Sequence, residues 1–301
     1  MELDVLIFCR HLRKKMLKSG RIMLHVANFI CLVLEVKDMH AEFGVIGGTG
    51  LYDPKLLKNI QEITVETSYG KPSDTITVGE LSSKRVAFLP RHGKKHTIRP
   101  TDINVRANIF ALKKLGVKRI LAPSTVGSLR EEYHPGEIVF CDQFIDRTTR
   151  REQSFYTASE GKVCHISVAE PMCPELRKAL IGVAKGMGIK MHETGTYVCI
   201  EGPRFSTKAE SKMYRQWGAD VVGMTLVPEC VLAREAEICY SSISTVTDYD
   251  VWKDHAVCVD DILTTMKTNI ENVKHIIAET IAELPSECSC KCNEALKGAF
   301  V

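Results

Sequence analysis

A short apolar run, Phe43-Gly44-Val45-Ile46, leads directly into Gly47-Gly48-Thr49-Gly50. An apolar run cut off by glycines reads as a buried strand that ends in a tight turn, and this turn carries one hydroxyl. Glycine lets the backbone come close to an anion, with exposed N–H groups and the Thr49 hydroxyl as donors. The spacing is not that of a dinucleotide fingerprint, because Asp53 stands where the third glycine would be. It is not a P-loop either, since no Gly-Lys-Ser/Thr follows. Taken alone, the turn is as well explained by a plain strand-to-loop connection, so its meaning depends on the segments downstream.

From residue 43 onward, strand-like and helix-like segments alternate. Residues 85–89 and 119–122 read as buried strands. Between them, Asp102 to Leu115 reads as a helix with Asp102 near its start and Gly116 as its stop. Helices are expected over 174–188, 206–217 and 228–237, and strands over 191–200, 219–222 and 240–246. The last helix is marked by Val259, Ile262, Leu263, Met266, Ile270, Val273, Ile277 and Ile281 at three- and four-residue steps. This alternation predicts one α/β domain, a largely parallel sheet with helices on both sides. Residues 41–284 form that domain, 1–40 an N-terminal extension and 285–301 a C-terminal tail.

Composition removes several function classes. The chain has 301 residues, 45% hydrophobic and 26% charged, and its formal net charge of +3 is too small to imply a nucleic-acid partner. Twelve cysteines are scattered without framework spacing, so free thiols acting as small hydrophobes are expected. Basic residues cluster at Arg10, Arg13, Lys14, Lys15, Lys18 and Arg21, ahead of an apolar patch at residues 29–34. That patch is far short of the ~20 residues a membrane span needs. The leader fits a targeting peptide or a surface helix less well than a poorly packed extension, being too rich in acids and too poor in serine for a transit peptide.

Ligands of α/β sheets bind beyond the carboxyl ends of strands, so the residues at those ends are informative. After residue 89 comes Pro90-Arg91-His92-Gly93-Lys94-Lys95-His96, in which Arg offers a planar fork of donors for phosphate and His another. After residue 121 comes Pro123-Ser124-Thr125-Val126-Gly127-Ser128. Gly223-Met224-Thr225 and Thr247-Asp248-Tyr249-Asp250 close two further strands. No strand end carries a credible metal cluster. The ends together suit an anion plus a polar heterocycle.

These segments, with Asn104-Val105-Arg106-Ala107-Asn108, Gly127-Ser128-Leu129, Asp142-Gln143-Phe144-Ile145-Asp146-Arg147-Thr148, Glu201-Gly202-Pro203-Arg204-Phe205-Ser206 and Pro228-Glu229, resemble the methylthioadenosine branch of the trimeric purine nucleoside phosphorylase family. The resemblance runs unbroken over roughly residues 43–284. It implies a mixed central sheet flanked by helices on both faces. It implies phosphorolysis of 5′-methylthioadenosine to adenine and 5-methylthioribose 1-phosphate, as part of purine and methionine salvage. It also implies a homotrimer without metal or organic cofactor, with inorganic phosphate as co-substrate, no nucleic acid and no membrane, in the cytoplasm and also the nucleus. By the same resemblance Thr49, Arg91, His92, Ser124 and Thr225 match phosphate-binding positions, with Thr125 beside them. Met224 matches the residue under the ribose, and Phe205 and Ser206 positions along the purine. Asp248 and Asp250 match the pair that reads the base, with Tyr249 between them. His96, Val259 and Leu263 match the surroundings of the 5′-substituent.

The chemistry agrees with these types. A purine anion leaves poorly unless N7 is protonated, and an Asp in a dry pocket can donate there. That makes Asp248 the expected catalytic acid. A second acceptor takes the 6-amino hydrogens, whereas relatives acting on 6-oxopurines carry Asn at the Asp248 position. Two other readings stand beside this one: a broader purine nucleoside phosphorylase that also takes adenosine or inosine, and a nucleoside-binding protein without turnover. Two departures from the family pattern are visible. Ser124-Thr125-Val126 replaces an expected Thr-Ala-Cys, and the tail Cys288-Ser289-Cys290-Lys291-Cys292 does not align. Cys-x-Cys-x-Cys alone lacks the fourth ligand of tetrahedral zinc, so a flexible thiol-bearing tail is expected.

Overall fold

A computed structural model describes residues 40–48, 57–156, 161–253 and 259–301. Thr49 and the side chains of Val259 and Leu263 lie outside the described residues, as does the leader except for His40. Ala41 to Val301 form one unit. Its strands are β1 (Phe43–Gly47), β2 (Lys58–Ile63), β3 (Ile76–Leu81), β4 (Lys84–Pro90), β5 (Arg119–Ser128), β6 (Ile138–Val139), β7 (Gln143–Arg147), β8 (Met191–His192), β9 (Thr196–Ile200), β10 (Val221–Gly223) and β11 (Cys239–Asp248). Its helices are α1 (Val105–Lys114), α2 (Pro174–Gly186), α3 (Lys208–Gln216), α4 (Leu226–Glu235) and α5 (Val259–Glu283).

The sheet is mixed rather than largely parallel. β1 runs parallel to β4 and β5, β11 parallel to β5, and β9 parallel to β7 and β10. The β2–β3–β4 edge is antiparallel, because Ser82 and Ser83, both at positive φ, make a two-residue hairpin turn that pairs Leu81 with Lys84. Two serines are a weak turn signal, so β2 and β3 escape sequence reasoning. β5 is longer than expected, since β11 matches it from Arg119 to Gly127 and the ladder never breaks at Pro123. A register shift between Val246 and Asp248 leaves Thr247 without a partner and sets Asp248 opposite Gly127.

Alternation along the strands separates two apolar layers. Ile120 and Ala122 face the layer that holds Leu112 of α1 and Leu232 of α4, while Leu121 faces the layer that holds Leu180 of α2 and Ile277 of α5. Helices therefore cover both faces of the sheet, as expected. Each fully buried Leu or Ile contributes ~1.5–3 kcal/mol, so this double layer fixes the strand register. Asn104, not Asp102, caps α1: its side chain accepts from the Ala107 N–H at 3.1 Å, and Asp102 closes a separate short turn. Gly116, at φ +82°, ends the helix as expected. A reciprocal Thr207/Glu210 capping box starts α3 two residues later than the sequence pattern implied.

The tail is docked, which overturns the expectation of a flexible one. Glu175 accepts from Ser289 N, Ser289 Oγ and Cys290 N at 2.8, 2.7 and 3.0 Å. Arg119 donates to the Glu287 carbonyl at 2.8 Å, and Val301 N to the Val163 carbonyl at 3.1 Å. Among the described residues no helix is long and apolar enough to cross a membrane.

Candidate active site

Arg91 follows the last residue of β4 and is nearly inaccessible to solvent, at 2%. Its Nε donates to Glu229 Oε1 at 2.5 Å, and its second terminal nitrogen to Glu229 Oε2 and the Ile46 carbonyl, each at 3.0 Å. Its first terminal nitrogen donates to the Pro123 carbonyl at 3.0 Å. Four of its five N–H groups are thus committed within the chain, which corrects the picture of an open fork. The guanidinium ties together the end of β1, the middle of β5 and α4. Burial works against its charge, but Glu229 outweighs that and holds the guanidinium above its usual range. Glu229 also accepts from the Tyr240 hydroxyl at 3.0 Å.

His92 donates from Nδ1 to the Ile98 carbonyl at 2.8 Å, because a carbonyl can only accept. Burial pushes its pKa down to about 4, helped by the nearby Arg91, His96 and Arg151 charges and opposed by the Ile98 hydrogen bond. At neutral pH the ring is uncharged and Nε2 is an acceptor, so His92 is not the extra donor that its residue type implied. His96 stacks on it, with ring centroids 4.7 Å apart and φ at +54°.

Ser124 and Thr125 lie inside β5, opposite Ser244 and Thr245, rather than beyond its end. β10 runs antiparallel to β5, with Val221 opposite Ser128 and Val222 opposite Gly127. The chain leaving β10 therefore heads back along β5, bringing Met224 and Thr225 in from the opposite direction. Gly223 permits this: an added Cβ there would stand 1.9 Å from the Tyr197 hydroxyl oxygen. Thr225 precedes α4, its N–H pointing to that hydroxyl at 3.4 Å, and four residues later α4 delivers Glu229 to Arg91. Met224 lies over Gly202, where a Cβ would meet its sulfur at 2.6 Å. Arg151 donates to the Met224, Val227 and Glu201 carbonyls at 2.6 to 2.7 Å and so fixes this junction.

Asp248 ends β11. Its Oδ1 accepts from Asp250 N at 2.7 Å and its Oδ2 from the Thr247 hydroxyl at 2.8 Å. Burial pushes its pKa up against these two bonds, and the Asp250 charge adds to the rise. Asp250, at φ +49°, is raised chiefly by burial as well, with the Ser211 hydroxyl, the Val251 N–H and the Ser206 hydroxyl opposing. Its Oδ2 is sealed from solvent without a well-aligned hydrogen bond, as are both serine hydroxyls. Asp250 is therefore turned toward Ser206 and α3, while Asp248 is more open. Phe205 is 40% exposed beside buried Ser206. Tyr249 sits edge-on to Trp252 and His134, so its ring contacts are with the turn and the neighbouring loop.

Arg91 and His92 thus follow β4, Ser124 lies within β5, Met224 and Thr225 follow β10, Asp248 ends β11, and Asp250 is set against Ser206. Sequence reasoning gave no role to Glu229, Arg151 or Thr247. Glu229 had a signal, an acid set amid the apolar first eight residues of α4, whereas Arg151 had none.

Arg91, the hydroxyls of β5 and Thr225, and a carboxyl of raised pKa at the end of β11, carried on this sheet, agree with a nucleoside-cleaving phosphorylase. The chain belongs to the Phosphorylase superfamily, which matches residues 42–282. More narrowly, it is 57% identical over 258 residues to the S-methyl-5′-thioadenosine phosphorylase of Nitrosopumilus maritimus, covering 86% of this chain and 97% of that one. The enzyme of the same name from Danio rerio is 52% identical over 250 residues, 81% and 89% of the two chains. Among solved structures, the Schistosoma mansoni methylthioadenosine phosphorylase with adenine superposes at a TM-score of 0.81 with 40% identity, over 86% of this chain and 97% of that one.

Proposed function

We propose that this chain cleaves 5′-methylthioadenosine with phosphate, giving adenine and 5-methylthioribose 1-phosphate. The observation that carries the reading is Asp248: a half-buried carboxyl of raised pKa, seated against Gly127 at the end of β11, in a member of this superfamily. Phosphate attacks the anomeric carbon while the bond to the purine nitrogen breaks. Asp248 protonates N7, and the purine leaves as a neutral base. Negative charge on phosphate stabilises the cation-like sugar. Thr49, Ser124, Thr125 and Thr225 supply hydroxyls to phosphate, and Arg91 its remaining N–H. His92 accepts from a protonated phosphate oxygen, or takes a proton as the dianion arrives. Met224 lies under the ribose, Phe205 and Ser206 along the purine. His96, Val259 and Leu263 surround the 5′-substituent. Phosphate is a co-substrate, and no cofactor enters the reaction.

The test is release of free base from methylthioadenosine, adenosine and inosine, with and without phosphate. Adenine release from methylthioadenosine that requires phosphate is expected; equal release in phosphate-free buffer refutes the reading. Gly127 gives a second test. A Cβ there would stand 2.9 Å from Asp248 Oδ1 and 3.3 Å from Asp250 Cβ. Gly127→Ala should therefore displace the acid and lower kcat/KM by roughly 10- to 100-fold, the usual cost of a misplacement of about 1 Å. Unchanged kcat would show that the acid does not act from this seat.

The assembly is proposed to be a homotrimer with sites at subunit contacts, in the cytoplasm. This rests on the resemblance, and on free cysteines that suit a reducing compartment. Light scattering should give the trimer mass; an active monomer overturns it.

A further inference from the structure

Four cysteines that the proposed reaction does not use meet at one place. Cys173 is the N-cap of α2, Cys239 opens β11, and Cys290 and Cys292 come from the docked tail. Their Sγ atoms all lie within 4.8 Å of one another, with Cys239 and Cys290 at 3.3 Å. Three are buried and Cys290 is half-buried. Sulfurs around a tetrahedral zinc, with bonds of about 2.3 Å, lie roughly 3.8 Å apart, so a small adjustment brings this cluster to that geometry.

We propose that Cys173, Cys239, Cys290 and Cys292 bind a structural zinc ion. Of the tail's three cysteines, Cys290 and Cys292 join the cluster; the fold supplies the other two ligands from the start of α2 and of β11. An all-sulfur set of four selects a soft, tetrahedral ion and leaves no open position, which makes the site structural rather than catalytic. The surroundings suit the net negative charge of a zinc tetrathiolate. The Leu176 N–H, at the amino end of α2, donates to Cys173 Sγ at 3.4 Å, where the helix dipole favours thiolate. A terminal nitrogen of Arg234 donates to Cys292 Sγ at 3.7 Å, and its Nε is buried with no acceptor of its own. Cys288 stands just outside the set, its sulfur 3.9 Å from that of Cys239. Cys239 and Asp248 are at opposite ends of ten-residue β11, roughly 30 Å apart at ~3.3 Å per residue, so the ion holds the tail without touching the chemistry.

The experiment is elemental analysis of the full chain, expressed with zinc in the medium and purified under reducing conditions without chelator. One zinc per chain is expected, released when the thiols are titrated with a mercurial. Exchange for cobalt should give the intense bands of tetrahedral cobalt thiolate. Cys290→Ser and Cys292→Ser should lose the ion, and Cys288→Ser should keep it. Wild type that carries no metal, whether its thiols are free or paired as disulfides by mass spectrometry, overturns the proposal. So does iron in place of zinc, or loss of the ion from Cys288→Ser as complete as from Cys290→Ser. If the serine variants fail to fold, wild-type metal content and the cobalt spectrum decide.

Discussion

Exchange of Asp248 for asparagine is expected to lower kcat/KM for methylthioadenosine by about 100-fold or more and to raise the inosine-to-methylthioadenosine ratio roughly tenfold to a hundredfold. General acids contribute ~100- to 10,000-fold, which sets the first figure. The second comes from base reading. A 6-oxopurine brings an acceptor up to an acceptor, and an unpaired buried polar group costs ~1–3 kcal/mol, at 1.4 kcal/mol per decade. The structure also fixes how the amide would sit. Asp250 N donates to Oδ1 at 2.7 Å, so the asparagine oxygen must take that place. Its NH2 then falls beside the Thr247 hydroxyl, which can turn to accept from it. One N–H remains to meet the 6-oxygen. The pH profile separates a proton donor from a positioning group. Asp248 has a raised pKa, so wild-type kcat/KM should fall as pH climbs through that value, and the variant should lack this limb. For stability the sign is opposite to that of a salt-bridged carboxylate: above the unfolded pKa the buried charge is a cost, relieved as pH falls. Removing it should leave Tm at neutral pH unchanged or higher. Wild type that already prefers inosine, or an unchanged ratio in the variant, would sink the assignment.

What could be read in the sequence depended on whether a residue's role is local. The apolar period of α5, the stop at Gly116 and the buried strand β1 follow from neighbours in the chain, and all were legible apart from exact ends. The Ser82-Ser83 hairpin was not, because neither serine is a strong positive-φ residue. Met224 and Thr225 do follow the carboxyl end of a strand, but the direction of β10, antiparallel to β5, depends on that pairing, a non-local event. His92 was assigned as a donor from its type; its burial keeps it neutral against the Ile98 hydrogen bond, and because that bond takes the Nδ1 proton, Nε2 is left to accept. The docked tail was misread for the same reason. Cys290 and Cys292 have no local partners, and their neighbours Cys173 and Cys239 come from segments far off in sequence.

Arg91 carries the largest stability prediction. Its type suggested an exposed phosphate fork. In the fold it is a buried cation whose counterion is Glu229, itself 1% exposed. Glu229→Ala should therefore destabilise the protein by about 3–5 kcal/mol, the cost of leaving one member of a buried ion pair unpaired. For a domain of this size that is a fall in Tm on the order of 6–20 °C, at ~2–4 °C per kcal/mol. The Tyr240 hydroxyl, which now donates to Glu229 at 3.0 Å, loses its acceptor too. Phosphate KM should rise in the same variant, because Glu229 is what aims the guanidinium toward the Pro123 carbonyl and the adjacent Ser124. Arg91→Met combined with Glu229→Leu distinguishes the two effects. Replacing both partners by apolar groups of similar volume is often neutral for stability, so Tm should recover while phosphate KM stays high. A Glu229→Ala protein with unchanged Tm and phosphate KM would show that the pair neither supports the sheet ends nor positions Arg91. Recovery of both quantities in the double variant would show that Arg91 serves the fold alone and that the phosphate site is built from the hydroxyls and His92.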